Sequence, residues 1–175
     1  APADEHGERA VALQPGAAEA HNNLASILLN TGKVQEALGH LNDAIKLDPK
    51  NPQAHYNAAI ASVRQGRHAD AIAHLKTVVQ LSPDVSTAAI DLAWLLACAP
   101  QESLRDPGLA IRLAERVVRV TNKKDAAALD ALAAAQAAND DFDRAVETAE
   151  AALALKPAGA EVIAARRDGY RQHRP

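Results

Sequence analysis

Seven histidines, a single cysteine (Cys98) and the adjacent carboxylates Asp140 and Asp141 are the residues of this 175-residue chain with the most chemical potential. Imidazoles bind metals or move protons, a thiol attacks electrophiles, and paired carboxylates divide acid and base work between them. Spacing argues against each use. His21 and His55 lie 34 residues apart, as do His40 and His74. A chain periodic at that length places such equivalents on successive stacked elements about 8 to 10 Å apart, whereas ligands of one ion converge to about 2 Å from it. The histidines are therefore read as structural or solvated, and neither a metal nor a cofactor is expected. Asp140-Asp141 reads as a helix cap in a turn. Cys98 has no second cysteine with which to form an intramolecular disulfide and reads as a small helix residue. The chain holds no Gly-rich phosphate loop, Cys-x-x-Cys, His-Glu-x-x-His or Gly-x-Ser-x-Gly element. A non-enzymatic role is expected.

The elements that carry these residues follow from composition and period. The chain is 48% hydrophobic, with Ala dominant and aromatics only 2%, which suits closely packed helices and predicts an all-α fold. A net charge of −3 with basic residues scattered among acids argues against nucleic acid as a partner. No apolar run approaches the roughly 20 residues that span a bilayer, so direct membrane insertion is not expected either. The chain contains no Met and opens Ala1-Pro2-Ala3-Asp4, as a fragment or a processed mature form would; cytoplasm and periplasm both fit.

Aligned on itself, the sequence repeats every 34 residues. Ala20-His21-Asn22-Asn23 returns as Ala54-His55-Tyr56-Asn57, Gly32-Lys33 as Gly66-Arg67, and Leu47-Asp48-Pro49 as Leu81-Ser82-Pro83. Each unit reads as a first helix (A), a turn containing Gly, a second helix (B) and a Pro that stops it. Apolar residues at helical spacing, such as Leu24, Ile27 and Leu28, then Leu38, Leu41 and Ile45, form the stripes that pack on neighbouring helices. One such unit cannot bury both faces, so stacking supplies the core.

The period and the placement of Leu24, Ala25, Gly32, Ala37, Ala44 and Pro49 resemble the tetratricopeptide repeat (TPR) family, as do the equivalents Ala58, Ala59, Gly66, Ala71, Val78 and Pro83. The resemblance implies a right-handed superhelical α-solenoid of antiparallel helix pairs. In that register residues 1–17 are the second half of a truncated repeat. Residues 18–51 and 52–85 are regular repeats, and 86–125 is a third with about five extra residues between its helices. A fourth spans 126–159, and 160–175 form a capping helix and tail.

The resemblance also implies a concave groove lined by the A helices, in which an extended peptide or partner segment would lie. It selects Asn22, Asn23 and Ser26, then Tyr56, Asn57, Ile60 and Arg64, then Ile90, Asp91 and Trp94. Asn23 and Asn57 would form a short ladder of amides able to hold a peptide backbone, similar to the asparagine ladder of TPR-bearing glycosyltransferases. Tyr56, Ile60, Val63, Ile90 and Trp94 would add apolar anchors, with Trp94 alternatively packing on the long third turn or the next helix. The Lys/Asn/Arg carboxylate clamp of chaperone-binding TPR domains is absent from the matching positions.

Leu92-Ala93-Trp94-Leu95-Leu96-Ala97 and Arg105-Asp106-Pro107 further resemble the C-terminal TPR tracts of large bacterial proteins, some of which carry a glycosyltransferase. Three roles are thereby implied: a scaffold binding a protein or peptide, a substrate-recruiting or docking module of a larger enzyme, and self-association into a homo-oligomer through the truncated N-terminal repeat.

Overall fold

A computed structural model describes residues 2–174, which divide between Val85 and Ser86 into two compact all-α units. Among the described residues there is no strand. The first unit holds α1 (Pro2–Leu13), α2 (Ala18–Asn30), α3 (Val34–Leu47), α4 (Pro52–Arg64) and α5 (His68–Leu81). The second holds α6 (Ser86–Cys98), a 3-10 turn (Glu102–Leu104), α7 (Pro107–Val120), α8 (Ala126–Ala138), α9 (Phe142–Ala154) and α10 (Ala160–Tyr170).

Helix starts are written in side chains. Asn51 accepts from the Ala54 amide ahead of Pro52, and Asp106 accepts from that of Leu109 ahead of Pro107. Asp125 takes the amides of both Ala127 and Ala128. Each satisfies donors that the first helical turn leaves open, while proline supplies a residue that needs no donor there.

The turns inside the hairpins share one geometry. After α2 the Gly32 amide donates to the Leu29 carbonyl and the Lys33 amide to that of Leu28, with Gly32 at φ 81°. This is the Schellman closure, in which one left-handed residue turns the last carbonyls inward. Gly66 does the same after α4 at φ 71°. After α8 the left-handed residue is Asp140, and the connection from α7 to α8, between hairpins, closes in the same way with Asn122 and then Lys123 left-handed.

Packing is between nearest neighbours. In the first unit α1 lies on α2, α2 on α3, α3 on α4 and α4 on α5, with α2 also beside α4. In the second, α6 packs on α7, α7 on α8, α8 on α9 and α9 on α10, with α6 beside α8. Leu24, Leu28 and Leu41 fill the first core around Ala25, Ala37 and Ala58, all essentially without solvent contact. The alanines let the helix axes approach. Each buried leucine contributes about 1.5 to 3 kcal/mol of apolar burial.

The eight residues Ala99–Asp106 join α6 to α7 where three residues serve in the other hairpins. They are held down from both ends. The Asp106 amide donates to the Leu96 carbonyl (2.9 Å) and the Arg105 Nε–H to that of Ala99 (2.7 Å).

Candidate functional site

In the first unit the predicted groove residues fall on the adjacent helices α2 and α4. Asn23 and Arg64 are exposed, while Asn22, Ser26, Tyr56, Asn57 and Ile60 are half-buried. The two helices are stitched together by side chains from this set. Asn57 Nδ2–H donates to Asn22 Oδ1 at 2.9 Å, and the Arg64 guanidinium donates to the Leu29 carbonyl in the last turn of α2. Asn57 therefore couples to Asn22, one residue before the expected ladder partner Asn23. An amide carries two N–H donors and an oxygen acceptor, so this bond uses only part of the capacity of Asn57.

In the second unit the expected anchors have other neighbours. Ile90 is 7% exposed and belongs to the packing of α6. Asp91 and Trp94 are half-buried. The Arg166 guanidinium, delivered by α10, sits 4.9 Å from the centroid of the Trp94 ring in a cation–π arrangement. The same guanidinium grips Asp130 of α8 with two nitrogens, Nε to Oδ1 at 3.2 Å and Nη2 to Oδ2. Burial pushes the Asp130 carboxyl above its ordinary range, opposed by the hydrogen bond and charge of Arg166. Tyr170, buried on the same helix, has its hydroxyl pushed up to about 12 by desolvation. Trp94 thus meets α10.

Cys98 ends α6 with an exposed side chain, yet desolvation by its surroundings holds the thiol above its usual range, offset only in part by Arg105 and Arg166. A thiol in that state is a poor nucleophile.

The histidines meet in a way their 34-residue spacing does not suggest. His21, fourth residue of α2, faces His40, seventh residue of α3, with Nδ1 to Nδ1 at 3.1 Å. His55 and His74 repeat this in α4 and α5 at 3.0 Å. In each pair the A-helix imidazole also reaches a carbonyl of the preceding turn through Nε2, Pro15 for His21 (3.2 Å) and Pro49 for His55 (3.0 Å). Since Nε2 must donate to a carbonyl, Nδ1 of His21 and of His55 is the acceptor. His40 and His74 then supply the proton of the bridge. Burial, followed by the facing imidazole, holds the His40 and His74 pKa values below the usual histidine value. Comparing His21 with His55 across repeats hides these pairs. The legible signal is a histidine in each helix of one hairpin, 19 residues apart, occurring twice.

The first pair has a further neighbour. Asp43, one turn beyond His40 on α3, places Oδ2 3.9 Å from His21 Nδ1. Among the described residues these three form a group whose donor atoms lie within 4.8 Å of one another.

The family model described as tetratricopeptide repeat matches residues 8–52 and 28–86, and a second model of that description matches 128–162. No curated protein sequence matches the chain. Among solved structures, YrrB, described as a TPR protein with an unusual peptide-binding site, is similar at a TM-score of 0.76 and 21% identity, over 98% of this chain and 86% of that one. A tetratricopeptide repeat protein from Parabacteroides merdae is similar at a TM-score of 0.81 and 19% identity, covering 97% of this chain and 65% of that one. The O-GlcNAc transferase of Thermobaculum terrenum, in a K341M mutant, is similar at 0.58 and 26% identity over 67% of this chain and 22% of that one.

Proposed function

This chain belongs to the tetratricopeptide repeat family, a class of protein-interaction modules, and from that premise we propose that it binds an extended peptide across the A helices of its first unit. The observation that carries this reading is the α2–α4 face, where Asn23 is exposed and the Asn57 amide keeps hydrogen-bonding capacity beyond its bond to Asn22. Such amides recognise peptide N–H and C=O groups, which every sequence offers. Tyr56 and Ile60 beside them would supply apolar contact and the Arg64 guanidinium a positive edge. The likeness to YrrB, itself described by a peptide-binding site, points the same way. The chain acts in this reading as a scaffold without catalysis of its own.

Peptides selected from a random displayed library against the whole chain test this. Asn23→Ala and Asn57→Ala should each weaken the selected peptides by about 3- to 10-fold, the worth of one neutral hydrogen bond. Undiminished binding by both variants removes the groove.

A second reading, that the repeats recruit substrate for an enzyme elsewhere in a longer protein, draws on the likeness to the O-GlcNAc transferase, of which this chain covers only 22%. The gene sequence on either side of this segment decides it. Flanking sequence that encodes only further repeats removes it.

A further inference from the structure

The two histidine pairs are near copies, and the difference between them is informative. Both have imidazoles bridged through Nδ1 and an A-helix Nε2 anchored on a prolyl carbonyl. In the first, Asp43 adds a carboxylate at 3.9 Å from His21 Nδ1. In the second, the residue 34 positions after Asp43 is Thr77, whose hydroxyl donates to the Ala73 carbonyl of its own helix. The surrounding charge differs as well: Asp43, Glu36 and Glu8 all act on His40 in the sense that favours positive charge, whereas at His74 the influence of Asp70 is opposed by Arg67. Outside the pair itself the charged side chains acting on the first site are all carboxylates, whereas those acting on the second are mixed in sign.

The donor geometry fits a small ion. Bonds of about 2.0 to 2.2 Å in a tetrahedron put neighbouring ligand atoms about 3.3 to 3.5 Å apart. The two Nδ1 atoms at 3.1 Å are slightly inside that separation, Asp43 Oδ2 at 3.9 Å from His21 Nδ1 is slightly outside, and all three donors lie within 4.8 Å of one another. The Asp43 side chain is 59% exposed, so a small rotation brings it in. The His21 Nε2–H bond to the Pro15 carbonyl is the outer contact that ligating histidines commonly use to fix the tautomer, and it leaves the Nδ1 lone pair facing the site. Two imidazoles and a carboxylate suit zinc and its neighbours, whereas calcium and magnesium take oxygen shells.

We propose that His21, His40 and Asp43 bind a divalent transition-metal ion of the zinc class, the His40 ring moving its proton from Nδ1 to Nε2 so that both Nδ1 lone pairs face the ion, pinning α2 to α3 with one coordination position left open to water. His55 and His74 remain a metal-free hydrogen-bonded pair.

The test uses the full chain without an affinity tag, titrated with Zn²⁺ by calorimetry and with Co²⁺ by visible absorption. One ion binds, and Co²⁺ shows the intense bands of a four-coordinate site. Asp43→Asn, at an exposed position, and His40→Gln each weaken binding at least tenfold, while His74→Gln leaves it unchanged. Thr77→Asp, which gives the second pair its missing carboxylate, raises the stoichiometry from one to two. The proposal is overturned if the native chain takes up no ion, if Asp43→Asn binds as the native chain does, if His74→Gln is the variant that loses the ion, or if Thr77→Asp leaves the stoichiometry at one.

Discussion

Asn57 on α4 donates its side-chain N–H to Asn22 on α2 at 2.9 Å, joining the same face of two successive repeats through residues 35 apart. Replacing Asn22 by Ala leaves that half-buried donor without this acceptor and should cost about 1 kcal/mol in urea unfolding. In a double-mutant cycle with Asn57→Ala, a coupling of about 0.5 kcal/mol or more is expected. Additive effects would show that the bond contributes nothing to stability.

Arg166→Ala should destabilise the second unit more than any exposed substitution does. The Asp130 side chain is 10% exposed and that of Arg166 30%, so removing the guanidinium strands a nearly buried carboxylate. A loss of about 2 to 4 kcal/mol is expected, below the full value for a deeply buried pair because Arg166 is partly solvated. Trp94 fluorescence should change with it, since the cation leaves the ring. A melting temperature within a degree of the native chain would refute the arrangement.

Stability should fall on acidification through the His74 pair. The folded-state pKa of His74 lies below its ordinary 6.5, from burial first and His55 second, with Asp70 opposing and Arg67 reinforcing the shift. The unfolded chain therefore binds more protons in this window, so the stabilisation is fully present above pH 6.5 and is lost as pH drops through the folded value. His74→Gln should flatten this slope in thermal melts taken between about pH 7 and pH 5, without metal. An unchanged slope would place the acid sensitivity elsewhere.

Cys98 should react slowly with iodoacetamide at neutral pH despite its exposure, because its thiol is held above the usual range by desolvation. The pH at which its alkylation rate reaches half-maximum should lie above that of a free cysteine peptide. A lower midpoint would mark an activated thiol and contradict the local electrostatics.

The hairpins were legible because their causes are local. Gly32 and Gly66 take left-handed backbone where the sequence places a turn. Pro52 and Pro107 begin helices behind side chains that cap them. Alanine at repeated positions follows from how closely helix axes must approach. The face of α2 and α4 that carries Asn22, Asn23, Asn57 and Arg64 was singled out by the resemblance to the tetratricopeptide family, not by spacing.

The identity of each residue's partner was decided by the tertiary structure. His21 meets His40 rather than its repeat equivalent His55, because the two helices of one hairpin turn facing positions toward each other while equivalent positions on stacked hairpins lie side by side. Arg166 reaches both Trp94 and Asp130 across segments of unrelated sequence, since a long guanidinium settles wherever a ring face and a carboxylate are presented together. The 34-residue period by itself determined the helices and their turns; which side chains face one another, and with what charge, depends on helix rotation and rotamer, which no local pattern encodes.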